Sequence, residues 1–176
     1  MSIIGLDVAS SMGWCAVDVD DFRAETSYGG TIKVSSDKNK SRCEKLGEFS
    51  DAVLLTLGQT GARFAVIEGY GFASKRIVPA VELGTMVRMA LHSCAIPYIE
   101  VAPGTLKKFV LQKGNGEKSL MMKEVYKRWG YDTDSDDEAD AFGLAAIGVA
   151  LHSNAPPPWT TSVQRGVVAD LEKKMT

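Results

Sequence analysis

The chain has 176 residues, 45% of them hydrophobic, enough for one domain with a sizeable core that needs neither disulfides nor a structural metal. A formal net charge of -2 gives no global attraction to nucleic acid, so a polyanionic partner would have to be gripped by a local basic patch. Cys15, Cys43 and Cys94 form no Cys-x-x-Cys pair, which argues against a disulfide framework or zinc site and for a reducing, cytoplasmic compartment; no apolar run approaches the roughly 20 residues of a membrane span, and no secretory leader is expected.

Ile3, Ile4 and Leu6 form an apolar run too short for a helix, as expected of a strand buried on both faces, and Asp7 stands where that strand leaves the sheet. After a small-residue turn over 9–13, residues 14–19 suit a returning strand and 28–34 the third strand of an antiparallel meander. Asp37 or Ser41 can cap a helix over 41–57, in which Leu46, Phe49, Val53, Leu54 and Leu57 recur at helical spacing and which Gly58 and Gly61 stop. Residues 63–68 are the next buried strand, ending on Glu68, and a glycine-rich turn with Tyr70 and Phe72 follows it. Pro79 suits the start of a helix reaching 93, residues 96–101 a short strand, and Pro103 the start of a helix through 105–111. Residues 112–117 read as an exposed glycine-rich loop, 118–129 as a helix, 131–136 as an acidic loop and 137–152 as a long Ala-rich helix. Residues 3–153 then form one domain, and Pro156-Pro157-Pro158 opens a tail over 154–176. In that tail Val163, Val167, Leu171 and Met175 give an amphipathic helix able to dock on the body or on a partner. Hairpin-ordered strands followed by alternating helices and strands predict an α/β domain, a mixed five-stranded sheet flanked by helices.

The strands ending in Asp7 and Glu68 should lie parallel and adjacent, so that both carboxylates meet at the edge where open α/β sheets place ligands. Asp137 and Asp140 are three residues apart and share a helix face, whereas Glu138 points away. That pair could merely cap the helix and complement its dipole. Four gathered acids would instead repel one another unless a cation sat among them, and hard oxygen ligands suit Mg²⁺, with Mn²⁺ as a substitute. Two such ions about 4 Å apart support phosphodiester hydrolysis. Lys107, Lys108, Lys113, Lys118, Lys123, Lys127 and Arg128 crowd one segment, and Lys75 with Arg76 follow the Glu68 turn; either strip could grip DNA phosphates. Lys123, Lys127 and Arg128 read better as a solvated helix face. Lys107 and Lys118, at a strand-to-helix junction and after a glycine-rich loop, are placed to hold a scissile phosphate. Tyr70 and Phe72 could stack on a splayed base or turn into the core.

Asp7 after Ile-Ile-Gly-Leu, Glu68 after Ala-Val-Ile, Gly-Asn-Gly-Glu-Lys118-Ser and Asp137-Glu-Ala-Asp140-Ala together resemble the RuvC family of Holliday junction resolvases, of the ribonuclease H-like superfamily, over about residues 3–152. The resemblance implies a homodimer that binds four-way DNA junctions and makes paired, Mg²⁺-dependent nicks. It implies that Asp7, Glu68, Asp137 and Asp140 are metal ligands and catalytic, that Lys107 and Lys118 assist on the phosphate, and that Val81 and Met86 lie on a dimer face. Val8-Ala9 replaces the Pro-Gly that follows the first Asp in many members, and Gly71 occupies the usual position of an aromatic wedge. Such variation resembles phage-encoded relatives and keeps forks and flaps as alternative substrates. A P-loop would need glycines where Gln112 and Glu117 stand, and a calcium loop a glycine at Asp137. An actin-like ATPase would need a second lobe that this length cannot supply, which leaves a non-catalytic branched-DNA binder as the alternative from another class.

Overall fold

The computed structural model describes residues 1–9, 11–70, 77–113 and 118–175. Five strands, β1 (Ser2–Asp7), β2 (Ser11–Asp18), β3 (Tyr28–Lys33), β4 (Phe64–Glu68) and β5 (Tyr98–Val101), form one sheet in the order β3-β2-β1-β4-β5. The first three pair antiparallel, while β4 and β5 run parallel to β1, so the sheet is mixed as expected. The helices are α1 (Arg42–Thr60), α2 (Ile77–Ser93), α3 (Pro103–Leu111), α4 (Lys118–Trp129), α5 (Asp136–His152) and α6 (Ser162–Met175), with a 3-10 turn at Ala24–Thr26.

Alternation along β1 divides the core. Ile3 joins Val66 of β4 and Phe142 of α5 on one face, while Ile4 and Leu6 join Phe49 of α1 and Leu83 of α2 on the other. Helix α5, buried from Ala139 to Ala150, lies between the sheet and α3, α4 and α6. A helix apolar all round is what such a central position requires.

Boundaries differ from the sequence expectation where hydrogen bonding decides them. β2 begins at Ser11, three residues early, because its antiparallel ladder with β3 runs on until Ser11 faces Lys33. Gly58 does not stop α1, which continues to Thr60 and ends on Gly61 in the left-handed region, φ 59°. Ser41, one of the two expected caps, accepts from the Glu44 amide and receives the reciprocal Glu44 carboxylate, a complete capping box. The tail does form its helix. Val167 and Leu171 are buried in the same cluster as α5, so α6 docks on the body, while Met175 at its end stays exposed.

Candidate active site

Period-two alternation gives Asp7 the same face as Ile3 and Gly5, the face that α5 covers. The parallel register pairs Leu6 with Ile67, which brings Glu68 level with Asp7, and Phe64, Val66 and Glu68 share that face for the same reason. Two carboxylates thus stand side by side at the carboxyl edge of the sheet.

Helix α5 brings the other two. It crosses β1 and β2 so closely that a Cβ on Gly5 would come 2.0 Å from the Ala141 carbonyl oxygen, and one on Gly13 would come 2.0 Å from that of Asp137. Gly13 is the cross-strand partner of Asp7, so the first turn of α5 sits over the end of β1. Asp140 lies between these two contact points along the helix and is 9% exposed; Asp7 is 4% exposed, and Asp137 and Glu68 are half-buried. Glu138 is occupied elsewhere: its carboxylate accepts from the Thr133 hydroxyl at 3.1 Å, and its amide donates to Ser135, the helix cap. The backbone thus sets Asp7 and Glu68 at neighbouring strand ends and the first turn of α5, which carries Asp137 and Asp140, over the end of β1. Among the described residues, no group of three or more His, Cys, Asp or Glu side chains is arranged to hold a metal ion, so the acids share an edge without forming a closed ligand cage.

The basic residues divide. Lys107 is half-buried on α3, the helix that leaves the same carboxyl edge after β5, while Lys108 and Lys113 are exposed. Lys118 is the first residue of α4. Lys127 and Arg128 pair with Glu124 at 3.7 and 3.0 Å; Lys123 and Lys127 are exposed as expected of a solvated face, whereas the Arg128 side chain is only 24% exposed. Phe72, Lys75 and Arg76 lie outside the described residues, as do Gly71 and the glycine-rich loop at 114–117. Tyr70 is not tucked into the core: it is half-buried against α2, with the Arg88 guanidinium 4.5 Å from its ring centroid.

Sequence reasoning missed Gly5 and Gly13, whose lack of a side chain sets the approach of α5, and Arg88 with its ion-pair partner Glu100. A glycine within an apolar strand is the signal that could have revealed the first two. For Arg88 and Glu100 no local pattern exists, since they meet only through packing. His92 is exposed, and His152 lies against the Phe64 ring at the opposite end of α5 from the acids, so neither belongs to the site.

Carboxylates at the ends of the two adjacent parallel strands of a mixed sheet, faced by acids on a crossing helix, define a ribonuclease H-like nuclease frame. Solved structures share the fold: Thermus thermophilus RuvC superimposes with TM-score 0.71 at 17% identity, covering 85% of this chain and 95% of that one. The fowlpox virus Holliday junction resolvase gives 0.53 at 15% identity, covering 85% and 98%. No protein-family model matches the chain. Crossover junction endodeoxyribonuclease RuvC of Bartonella quintana is 31% identical over 150 residues, 81% of this chain and 86% of that protein. Its Bartonella henselae counterpart is 29% identical over 164 residues, 86% of this chain and 94% of that one. The chain belongs to the RuvC family.

Proposed function

We propose that the chain is a structure-selective endodeoxyribonuclease that resolves four-way DNA junctions by metal-dependent phosphodiester hydrolysis. The observation that carries the reading is the parallel register that sets Glu68 level with Asp7, with the first turn of α5 packed over the end of β1, in a chain of this family. Relatives named crossover junction endodeoxyribonuclease and a Thermus thermophilus RuvC structure in complex with Holliday junction substrate support the substrate class.

The donor set, all carboxylate oxygen, fits a hard divalent cation, Mg²⁺ with Mn²⁺ as a substitute. Asp7, Glu68, Asp137 and Asp140 would hold it. Bound there, it would generate a hydroxide-like nucleophile near neutral pH and offset charge on the leaving oxygen. Lys107, on the helix leaving the same edge, and Lys118, at the start of α4, would hold the scissile phosphate. Lys108 and Lys113, with Lys75 and Arg76, would grip flanking phosphates, and Tyr70 and Phe72 would contact bases at the branch. Paired nicks require two copies of the site. The exposed apolar residues of α2, Val78, Val81 and Met89, are proposed as the homodimer face.

The test uses labelled four-way, forked and linear DNA with Mg²⁺, Mn²⁺ or Ca²⁺. Symmetric Mg²⁺-dependent nicks in the four-way junction are expected. Dominant cleavage of forks or flaps would make this a broader branched-DNA nuclease, and junction binding without nicking in Mg²⁺ or Mn²⁺ would leave a non-catalytic branch binder.

A further inference from the structure

Tyr70, two residues after Glu68, is held by a side-chain cluster built on Arg88 and Glu100. Arg88 of α2 donates from Nη1 to the Tyr70 hydroxyl at 2.8 Å and to the Gly84 carbonyl at 2.9 Å. From Nε it donates to Glu100 of β5 at 2.9 Å. Its Nη2 lies 2.9 Å from the other Glu100 oxygen, an ion pair without the alignment of a hydrogen bond. The Arg88 side chain is 19% exposed, so this is a guanidinium largely withdrawn from water and committed to its partners. Gly84 makes room for the arrangement: a Cβ there would lie 2.4 Å from the Tyr70 hydroxyl and 2.7 Å from Arg88 Nη1.

Glu100 neutralises Arg88, which makes Arg88 a poor phosphate grip and points to a positional role. One face of the Tyr70 ring is covered by the cation and its hydroxyl is fixed, so a flat ligand would stack on the other face. Tyr70 follows Glu68 by two residues, so a base resting on that face would adjoin the cleavage edge. An aromatic ring held in place before binding loses less rotamer freedom when the base arrives. We propose that Arg88, fixed by Glu100, is a positioning residue that presents Tyr70 for stacking on an unpaired base at the DNA branch point. The inference rests on the branched-DNA reading and adds to it the device that sets branch selectivity.

The experiment measures affinities for a four-way junction and a linear duplex of the same sequence, in Ca²⁺, for the wild type, Arg88→Met, Tyr70→Leu and the double variant. Thermal unfolding is followed alongside. Each single variant should lower the junction-to-linear affinity ratio by about tenfold, the scale of one stacked base, and the double variant no further than either alone. Arg88→Lys, which keeps the charge without the planar fork, should not restore the ratio. Loss of stability with an unchanged ratio would reduce Arg88 to a staple and overturn the inference, as would additive losses in the double variant or an inert Tyr70→Leu. Should Arg88→Met fail to fold, Glu100→Gln reads the same ratio, and a wild-type value for it overturns the inference equally. A wild-type protein that binds junction and duplex equally would overturn the branched-DNA reading itself, and this inference with it; a selective wild type with a selective Arg88→Met overturns this inference alone.

Discussion

Asp7 and Asp140 are carboxylates that folding places almost out of water, and such groups are kept only where something repays their desolvation. Asp7→Asn, Glu68→Gln and Asp140→Asn keep each side chain's shape and remove its charge. Each should retain junction binding in Ca²⁺ and lose at least about a hundredfold in single-turnover nicking, on the scale of lost transition-state stabilisation at such sites. Full nicking by any two of them would remove the catalytic assignment. Gly13 tests the same geometry through the backbone. In Gly13→Ala the new methyl meets the Asp137 carbonyl, which belongs to a helix and cannot swing aside, so nicking and thermal stability should fall together. Cys15 tests the core beneath. Burial pushes its thiol up to about 12 from an ordinary 9.0, so the folded chain holds that proton where the unfolded chain releases it. The resulting stability is fully present below about pH 9 and is lost as pH rises from there toward 12. Denaturant titrations across that window should show a falling midpoint, and Cys15→Ala, less stable at pH 8, should show a flatter decline. A thiol reagent should find the exposed Cys43 and Cys94 at once and Cys15 only on unfolding.

At the scale of elements, α5 and α6 illustrate two ways of placing a helix. The strand glycines pull α5 onto β1 and β2, and the Phe142 ring stacks on Tyr131 at 4.4 Å, fixing the helix's position above the sheet. A shared hydrogen bond holds α6: the Thr161 hydroxyl donates to Gln112 Oε1 at 2.6 Å, just where α3 ends. The Thr161 amide also donates to Gln164, and the Gln164 amide returns the bond, so the start of α6 is capped from within. With Leu171 buried among core side chains, Leu171→Ala should cost about 2 to 5 kcal/mol in chemical denaturation. A change of under about 0.5 kcal/mol would mean that α6 lies on the surface without contributing to the core.

At the scale of the whole molecule, a surface remains that one chain does not cover. Val78, Val81 and Met89 stand exposed along α2 at 67, 41 and 60%, beside a groove lined by Leu46, Thr85 and Met86. This row of apolar residues is the face the proposed homodimer would use. If α2 is the dimer face, light scattering at micromolar concentration should read a dimer for the wild type and a monomer with unchanged unfolding for Val81→Glu; a wild type that is itself monomeric would remove α2 as the interface. No helix among the described residues is long and apolar enough to cross a membrane.

Local chemistry determined much of this molecule. Apolar runs ending on Asp7 and Glu68, the Ser41 cap, Pro103 at the start of α3 and the spacing of Val167 and Leu171 each act within a few residues, so their consequences are written into the chain itself. The acids could be named for that reason, since strand parity and helical spacing fix which face each occupies. What only tertiary structure decided depends on residues far apart in sequence touching: how closely α5 approaches Gly5 and Gly13, the body rather than a partner as the seat of α6, and the meeting of Tyr70, Arg88 and Glu100. None of those contacts has a period or a cap to announce it, because each is set by the volume left when three separate elements pack.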